Sequence, residues 1–284
     1  MGLVILAALC VAGFALFFRL FERCGVPLLP AIAINYTVAF CCGLLFAPPW
    51  NVEGTTSLLI PAGFLGALFV LIFSLSGLSA QRAGAARTTI AGRMSLVLTI
   101  AGAVILFDER VGPFRWLGIA IALVGLILVS MDKDERTSER SWLLPLAIFL
   151  GSGAADIAVT FAQRTLTTAA NAEAFPTLCF ASSSVVSMAL LFIRREQTAL
   201  KHARTWVGGI ALGLVNYASL LLLVRALGSG DLPASAIFPL MNIFAILFAT
   251  GCAILFFRER LSIRQWCGIA LCVASLLFIM RSEA

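Results

Sequence analysis

Long apolar runs, each broken after about twenty residues by a few charged or turn-forming positions, set the pattern of this chain. A helix that crosses a lipid hydrocarbon core needs about 20 consecutive apolar residues. Ten stretches meet that need, near 2–20, 28–47, 56–79, 85–107, 114–131, 142–163, 171–193, 205–227, 232–257 and 264–281. Short breaks separate them, among them Pro48-Pro49-Trp50-Asn51, Gly112-Pro113, Arg194-Arg195-Glu196-Gln197 and Arg258-Glu259-Arg260. The most polar break spans residues 132–140, and it leaves no room for a soluble domain. Strands of a membrane barrel would alternate apolar and polar residues over about ten positions. These runs are continuously apolar, so the pattern predicts an all-α integral membrane protein with ten transmembrane helices.

The break near 132–140 divides the chain into halves, 1–140 and 141–284, that match at a shift of 150 positions. Leu106-Phe107-Asp108-Glu109-Arg110 falls on Phe256-Phe257-Arg258-Glu259-Arg260. Trp116-Leu117-Gly118-Ile119-Ala120 falls on Trp266-Cys267-Gly268-Ile269-Ala270, and Gly63 on Gly213. Each half holds five apolar stretches. An odd number of crossings turns the second copy upside down, which predicts two inverted five-helix repeats, an architecture of many secondary transporters.

The doubled pattern of an apolar helix, Glu-Arg, a short turn and Trp-x-Gly-Ile-Ala resembles the EamA-type proteins of the drug/metabolite transporter superfamily. The likeness runs over essentially the whole chain. It implies a 5+5 inverted-repeat carrier of small metabolites, often an exporter, and leaves the substrate open.

Composition agrees with the pattern. Hydrophobic residues make up 61% of the 284 and charged residues 12%, against about 45–50% and about 25% in soluble domains. The net charge of +6 belongs to the breaks rather than to a separate basic domain, so no nucleic-acid partner is expected. The start of the chain lacks the basic segment and cleavage site of a signal peptide and reads as a retained first span. The eight cysteines form no CxxC pattern, and neither a metal nor any other cofactor is expected.

Lys and Arg gather in cytoplasmic loops. The odd-numbered breaks hold fourteen of them, while the even-numbered breaks and C-terminal tail hold five. That count puts both termini outside, whereas the family resemblance implies both in the cytoplasm. The side stays open, and an inner bacterial membrane is the expected location.

Charge inside a span is costly and faces the bundle interior. Arg93 lies about 12 Å into the fourth span at 1.5 Å per residue, and Asp156 is the acidic residue deep in the sixth. Either they neutralise each other, or they meet substrate: Arg93 a carboxylate or phosphate, Asp156 an ammonium group or a coupling proton. Arg87 lies nearer the membrane surface, as a substrate contact or a snorkelling anchor. Asn35-Tyr36, Asn216-Tyr217, Asn242, Thr88 and Thr89 are the uncharged candidates, divided between helix-to-helix bonds and a substrate site. Glu109-Arg110 and Glu259-Arg260 read as turn caps and exposed ion pairs. Trp116 and Trp266 read as interfacial anchors. Gly209-x-x-x-Gly213 and the sets at Gly118 and Gly268 predict close helix contacts, within one chain or between copies. Pro239 is the expected kink.

The expected function is a secondary transporter moving a small polar metabolite, an amino acid or other zwitterionic or anionic compound, by alternating access, with export favoured. A carrier of cationic amines or drug-like compounds is the alternative. An intramembrane enzyme lacks a constellation of its own, since His202 is the one histidine and no HExxH or GxSxG occurs. A non-transporting scaffold is the remaining class. Oligomeric state is open.

Overall fold

A computed structural model of the chain describes residues 1–49, 54–107, 112–130, 143–168, 171, 174–228 and 234–281. They form eleven helices: α1 (Gly2–Cys24), α2 (Leu28–Phe46), α3 (Leu59–Ala83), α4 (Ala85–Met94), α5 (Leu96–Phe107), α6 (Pro113–Ser130), α7 (Leu143–Thr165), α8 (Ala174–Ile193), α9 (Ala203–Gly228), α10 (Ala234–Phe257) and α11 (Ile263–Arg281). Each of the ten apolar stretches is helical, and the fourth is divided into α4 and α5. Seven helices, α1, α2, α3, α7, α8, α9 and α10, are long and apolar enough to cross a membrane. The apolar parts of α6 and α11 are shorter. Trp50, Asn51, Glu109, Arg110, Pro233 and the break at 132–140 lie outside the described residues.

The helix starts follow the chemistry of proline, whose missing N–H is harmless only in a first turn. Pro30, Pro61, Pro145 and Pro176 are each the third residue of a helix, and Pro113 is the first. α1 ends at Gly25, whose φ of 60° carries the left-handed turn that glycine tolerates best. Val26 N–H donates to Phe21 O at 2.8 Å there, so Pro27 can open the next helix.

Most large contacts join the two halves. α2 packs on α8 and α9, α3 on α7 and α8, α1 on α9 and α10, and α6 on α11. The glycines make these approaches possible. A Cβ at Gly213 would stand 2.7 Å from Asn35 O on α2, and one at Gly209 would stand 2.6 Å from Ile34 Cβ. A Cβ at Gly125 of α6 would meet Gly268 O of α11 at 2.9 Å. The sets at Gly209 and Gly268 therefore serve contacts within the chain. Hydroxyls add bonds across the halves: Thr37 Oγ1 and Ser184 Oγ lie 2.8 Å apart, and Ser183 Oγ donates to Gly66 O at 3.1 Å. Such bonds are worth on average about 0.6 kcal/mol in lipid.

α4 occupies the middle, in contact with α1, α3, α6, α7, α10 and α11. Ile90, Ala91 and Met94 pack with Ile148 of α7 and Ile243 and Ile246 of α10. Outward faces are apolar, with Ile60 86% and Leu45 79% exposed; a surface of this kind suits acyl chains rather than water. Trp116 and Trp266 stand half exposed near the starts of α6 and α11.

The basic breaks converge on one end of the bundle. Near the end of α1, Arg19 donates to Gln81 O at the end of α3, and Arg23 donates to Phe256 O at the end of α10. Arg204 at the start of α9 lies against Gly25. The first, third, seventh and ninth breaks thus share one basic face.

Candidate functional site

The fourth apolar stretch breaks at Ser95. Ser95 Oγ reaches the carbonyl of Gly92 at 2.7 Å, and the chain resumes with Leu98 N–H on Ser95 O at 2.8 Å, the tighter i to i+3 spacing. A serine hydroxyl turned back on its own helix competes with the regular ladder and bends it. Pro239, the expected kink, leaves α10 continuous from Ala234 to Phe257. The interruption therefore lies at the arginine-bearing span and comes from a serine, not a proline.

Asp156 of α7 meets this break. Its Oδ2 accepts from Ser95 Oγ at 3.0 Å and from Thr99 Oγ1 at 3.5 Å. Asp156 is an exposed residue despite its place midway along α7, so its carboxylate is not sealed by packing. Arg93, two residues before the break, is half-buried and feels the charge of Asp156. Among the described residues no N···O approach of 4.0 Å or less joins them. The mutual neutralisation weighed from the sequence is therefore not made as a direct ion pair. Its absence leaves an arginine and a carboxylate in one neighbourhood, with hydroxyls as the carboxylate's side-chain partners.

Arg87 is 8% exposed within the first turn of α4. That burial removes the snorkelling anchor, which needs the charged end in water. Thr88, beside it, donates to Ser79 Oγ at 2.8 Å and bonds Gly84 O at 2.9 Å, fastening α4 to α3. Thr89 is buried as well. Asn242 of α10 is 6% exposed, on the helix that packs along α4.

The asparagine–tyrosine pairs lie elsewhere. Asn35 is fully buried and its Oδ1 accepts from Asn216 Nδ2 at 3.2 Å, a bond from α2 to α9. Among the described residues Asn35 Nδ2 has no hydrogen-bond partner. Tyr36 donates to Phe69 O at 3.0 Å and packs against Phe73 and Phe180. Tyr217 stacks on Phe46 with ring centroids 5.7 Å apart. These four side chains hold α2, α3, α8 and α9 together. The structure thus brings together Arg93 and Asp156, sets Arg87 and Asn242 on the central α4–α10 pair, and puts Asn35, Tyr36, Asn216 and Tyr217 in the helix contacts.

Three residues escaped the sequence reading. Ser95 and Thr99 are four apart, hence on one helix face, and they are the hydroxyls in an otherwise apolar run from Ser95 to Phe107. That spacing was the available signal. Glu259 was expected as an exposed cap, yet its side chain is 14% exposed and it reaches into the first half of the chain. Ala85 N–H donates to Glu259 Oε1 at 3.0 Å.

Known proteins resemble the chain over nearly its whole length. A chain from Haemophilus influenzae, described as an uncharacterized protein, is 27% identical over 281 residues, covering 94% of this chain and 93% of its own. A solved crystal structure aligns with 97% of this chain and 94% of its own at a TM-score of 0.63 and 17% identity, a likeness of fold. The EamA-like transporter family matches twice, over residues 1–131 and 142–281. Members of that family are transporters rather than enzymes, and the apolar helices make this chain a multi-pass membrane protein. The chain belongs to the EamA-like transporter family, within the drug/metabolite transporter superfamily.

Proposed function

We propose that the protein is a secondary carrier that moves a small zwitterionic or anionic metabolite, such as an amino acid, across a bacterial inner membrane by alternating access, in the direction of export. Ten crossings, in inverted units 1–140 and 141–284, form the carrier. The observation that carries this reading is the unpaired proximity of Arg93 and Asp156 at the α4–α5 break. A broken helix at mid-depth supplies polar backbone where lipid offers none, and carriers bind substrate at such places. Arg93 takes the substrate's carboxylate through its planar fork, and Asp156 takes its ammonium group. Arg87 and Asn242 complete the surroundings from α4 and α10.

Asp156 also suits proton coupling. The Ser95 hydroxyl has one proton and two acceptors, Gly92 O and Asp156 Oδ2. With Asp156 ionised, that proton goes to the carboxylate. With Asp156 protonated, the acid donates to Ser95 Oγ and frees the serine proton for Gly92 O. Protonation state is thereby tied to the geometry of the break.

The test is uptake into proteoliposomes across amino acids, organic acids, phosphates and quaternary amines. Saturable flux of an amino or organic acid, lost in Arg93→Ala, supports the reading. Flux confined to quaternary amines and lost only in Asp156→Asn would replace it with the cation carrier. Normal flux in both folded variants would overturn the site.

A further inference from the structure

Buried polar side chains are normally hydrogen-bonded, and each exception calls for a cause. Here the exceptions gather on two helices that touch. Arg87 and Thr89 of α4 and Asn242 and Thr250 of α10 are buried. Among the described residues none of these four side chains has a hydrogen bond or an ion pair. The other buried polar side chains described, Thr205 apart, each have a bond, as Thr88 has to Ser79 and Asn35 has from Asn216. Arg93, half-buried six residues after Arg87, has no such partner either. Arg87 is 8% exposed, yet its nitrogens are not sealed as the Thr250 hydroxyl is, so the guanidinium opens on accessible space.

The charges around α4 do not balance. α4 brings two guanidinium groups, and α7 brings the carboxylate of Asp156 to the break. Glu259, at the start of α4, is already engaged by Ala85 N–H and by Arg19 at 3.8 Å. One positive charge is left over, and a buried charge without a counterpart is strongly destabilising. The repeat frame does not require it. At the shift of 150 positions Arg87 falls on Ile237 and Arg93 on Ile243, both buried.

We infer that Arg87 is a second anion subsite and that the substrate is an acidic amino acid. Its α-carboxylate meets Arg93, its ammonium group meets Asp156, and its side-chain carboxylate meets Arg87. The inference rests on the carrier reading and narrows it from amino acids at large to those with two carboxylates. Six residues part the arginines by about 9 Å along the helix axis and about a third of a turn around it. Their stems leave α4 in different directions, which suits a ligand with an anionic group at each end. Thr89, one turn before Arg93 on the same helix face, and Asn242 supply neutral hydrogen-bonding groups. A neutral amino acid leaves Arg87 uncompensated, and a plain dicarboxylate leaves Asp156 without a cation. Two carboxylates and one ammonium bring ligand and site to zero net charge.

L-Glutamate and L-glutamine are the matched probes, alike in size and different by one charge. Thermal unfolding of the purified protein reads binding, and proteoliposome uptake reads transport. Wild type is expected to bind glutamate roughly tenfold or more tighter than glutamine. Arg87→Gln lowers glutamate affinity by roughly 10- to 150-fold, the scale of a hydrogen bond to a charged group, and leaves glutamine affinity nearly unchanged. It also raises the unfolding midpoint of the ligand-free protein, because the uncompensated charge is gone. Arg87→Lys keeps the charge without the planar fork and retains part of the preference. A purely structural role for Arg87 gives the opposite result, a lower ligand-free midpoint and equal loss for both probes.

Equal wild-type affinities, binding of neither probe, or a glutamate preference that survives Arg87→Gln would overturn the inference. So would a midpoint that sodium chloride raises as far as sodium glutamate does, which assigns Arg87 to an inorganic ion. If Arg87→Gln does not fold, the wild-type ratio decides, and a value near one overturns the subsite. Saturable flux of neutral amino acids with no preference for glutamate removes the subsite and leaves the carrier. Glutamate binding with the stated dependence on Arg87, and no flux of any compound, removes the carrier reading and leaves the subsite.

Discussion

The fourth and ninth apolar stretches are repeat equivalents with different outcomes. Residues 85–107 become two helices that part at Ser95, whereas Ala234–Phe257 runs unbroken through a proline. At the shift of 150 positions Ser95 falls on Ala245 and Arg93 on Ile243, both apolar and buried. The first stretch meets a carboxylate on α7; the second meets α1, whose Val4, Ala7 and Ala8 pack with Met241 and Ala245. Symmetry therefore supplies the frame, and departures from symmetry mark the chemistry.

The sharpest way to break this comparison is at Arg93. Arg93→Ala removes the charge beside the break, one of two (with Arg87) that the ninth stretch lacks, and substrate flux should fall by roughly 10- to 150-fold, the worth of a hydrogen bond to a charged group. Proteoliposome uptake reads it, with thermal unfolding as a check on the fold. Wild-type flux would mean that the charge difference between the two stretches has no bearing on transport. Asp156→Asn comes next. Its amide oxygen still accepts from Ser95 and Thr99, so the break survives while charge and proton are lost. Flux driven by a pH gradient should drop about tenfold, and exchange without a gradient should drop less. Equal loss in both assays would assign Asp156 to substrate binding alone.

Much of this frame was readable in the residue pattern, for a physical reason. Lipid requires a helix to satisfy its own backbone bonds, so apolar length alone placed the helices. Prolines three residues into α2, α3, α7 and α8 could have fixed their starts more closely. Side-chain partnerships were harder to foresee. Asn35 and Asn216 meet across 181 positions, a contact that depends on the glycine face of α9 admitting α2. Arg87 lay close enough to a helix end to suggest snorkelling, but α4 is enclosed by six other helices. Glu259 read as a surface charge because its seat is made by Gly84 and Arg19, far away in sequence. A charge that ends a helix looks alike whether it faces water or another repeat.

Ser95→Ala has a smaller effect. It deletes the hydroxyl that reaches both Gly92 O and Asp156 Oδ2, at a cost to stability of about 1 kcal/mol. Flux should fall severalfold, with the pH dependence of transport flattened because Asp156 no longer communicates with the break. Hydrogen exchange at residues 93–99 should slow if the helix closes over. Unchanged exchange and an unchanged pH profile would move the cause of the break away from this serine.

Pro239→Ala should do least. The helix already passes through residue 239 without interruption, so restoring a backbone N–H there adds to a continuous ladder and opens no route that was shut. Transport should stay within about twofold of wild type, since a substitution away from the reacting groups rarely exceeds about 0.5 kcal/mol. The contrast with Ser95→Ala is the informative quantity. If Pro239→Ala slowed turnover more than Ser95→Ala, the moving joint would belong to the unbroken stretch, and the serine break would be a binding feature rather than a hinge. Measuring both variants at saturating substrate separates these cases, because a hinge acts on turnover while a binding contact acts on apparent affinity.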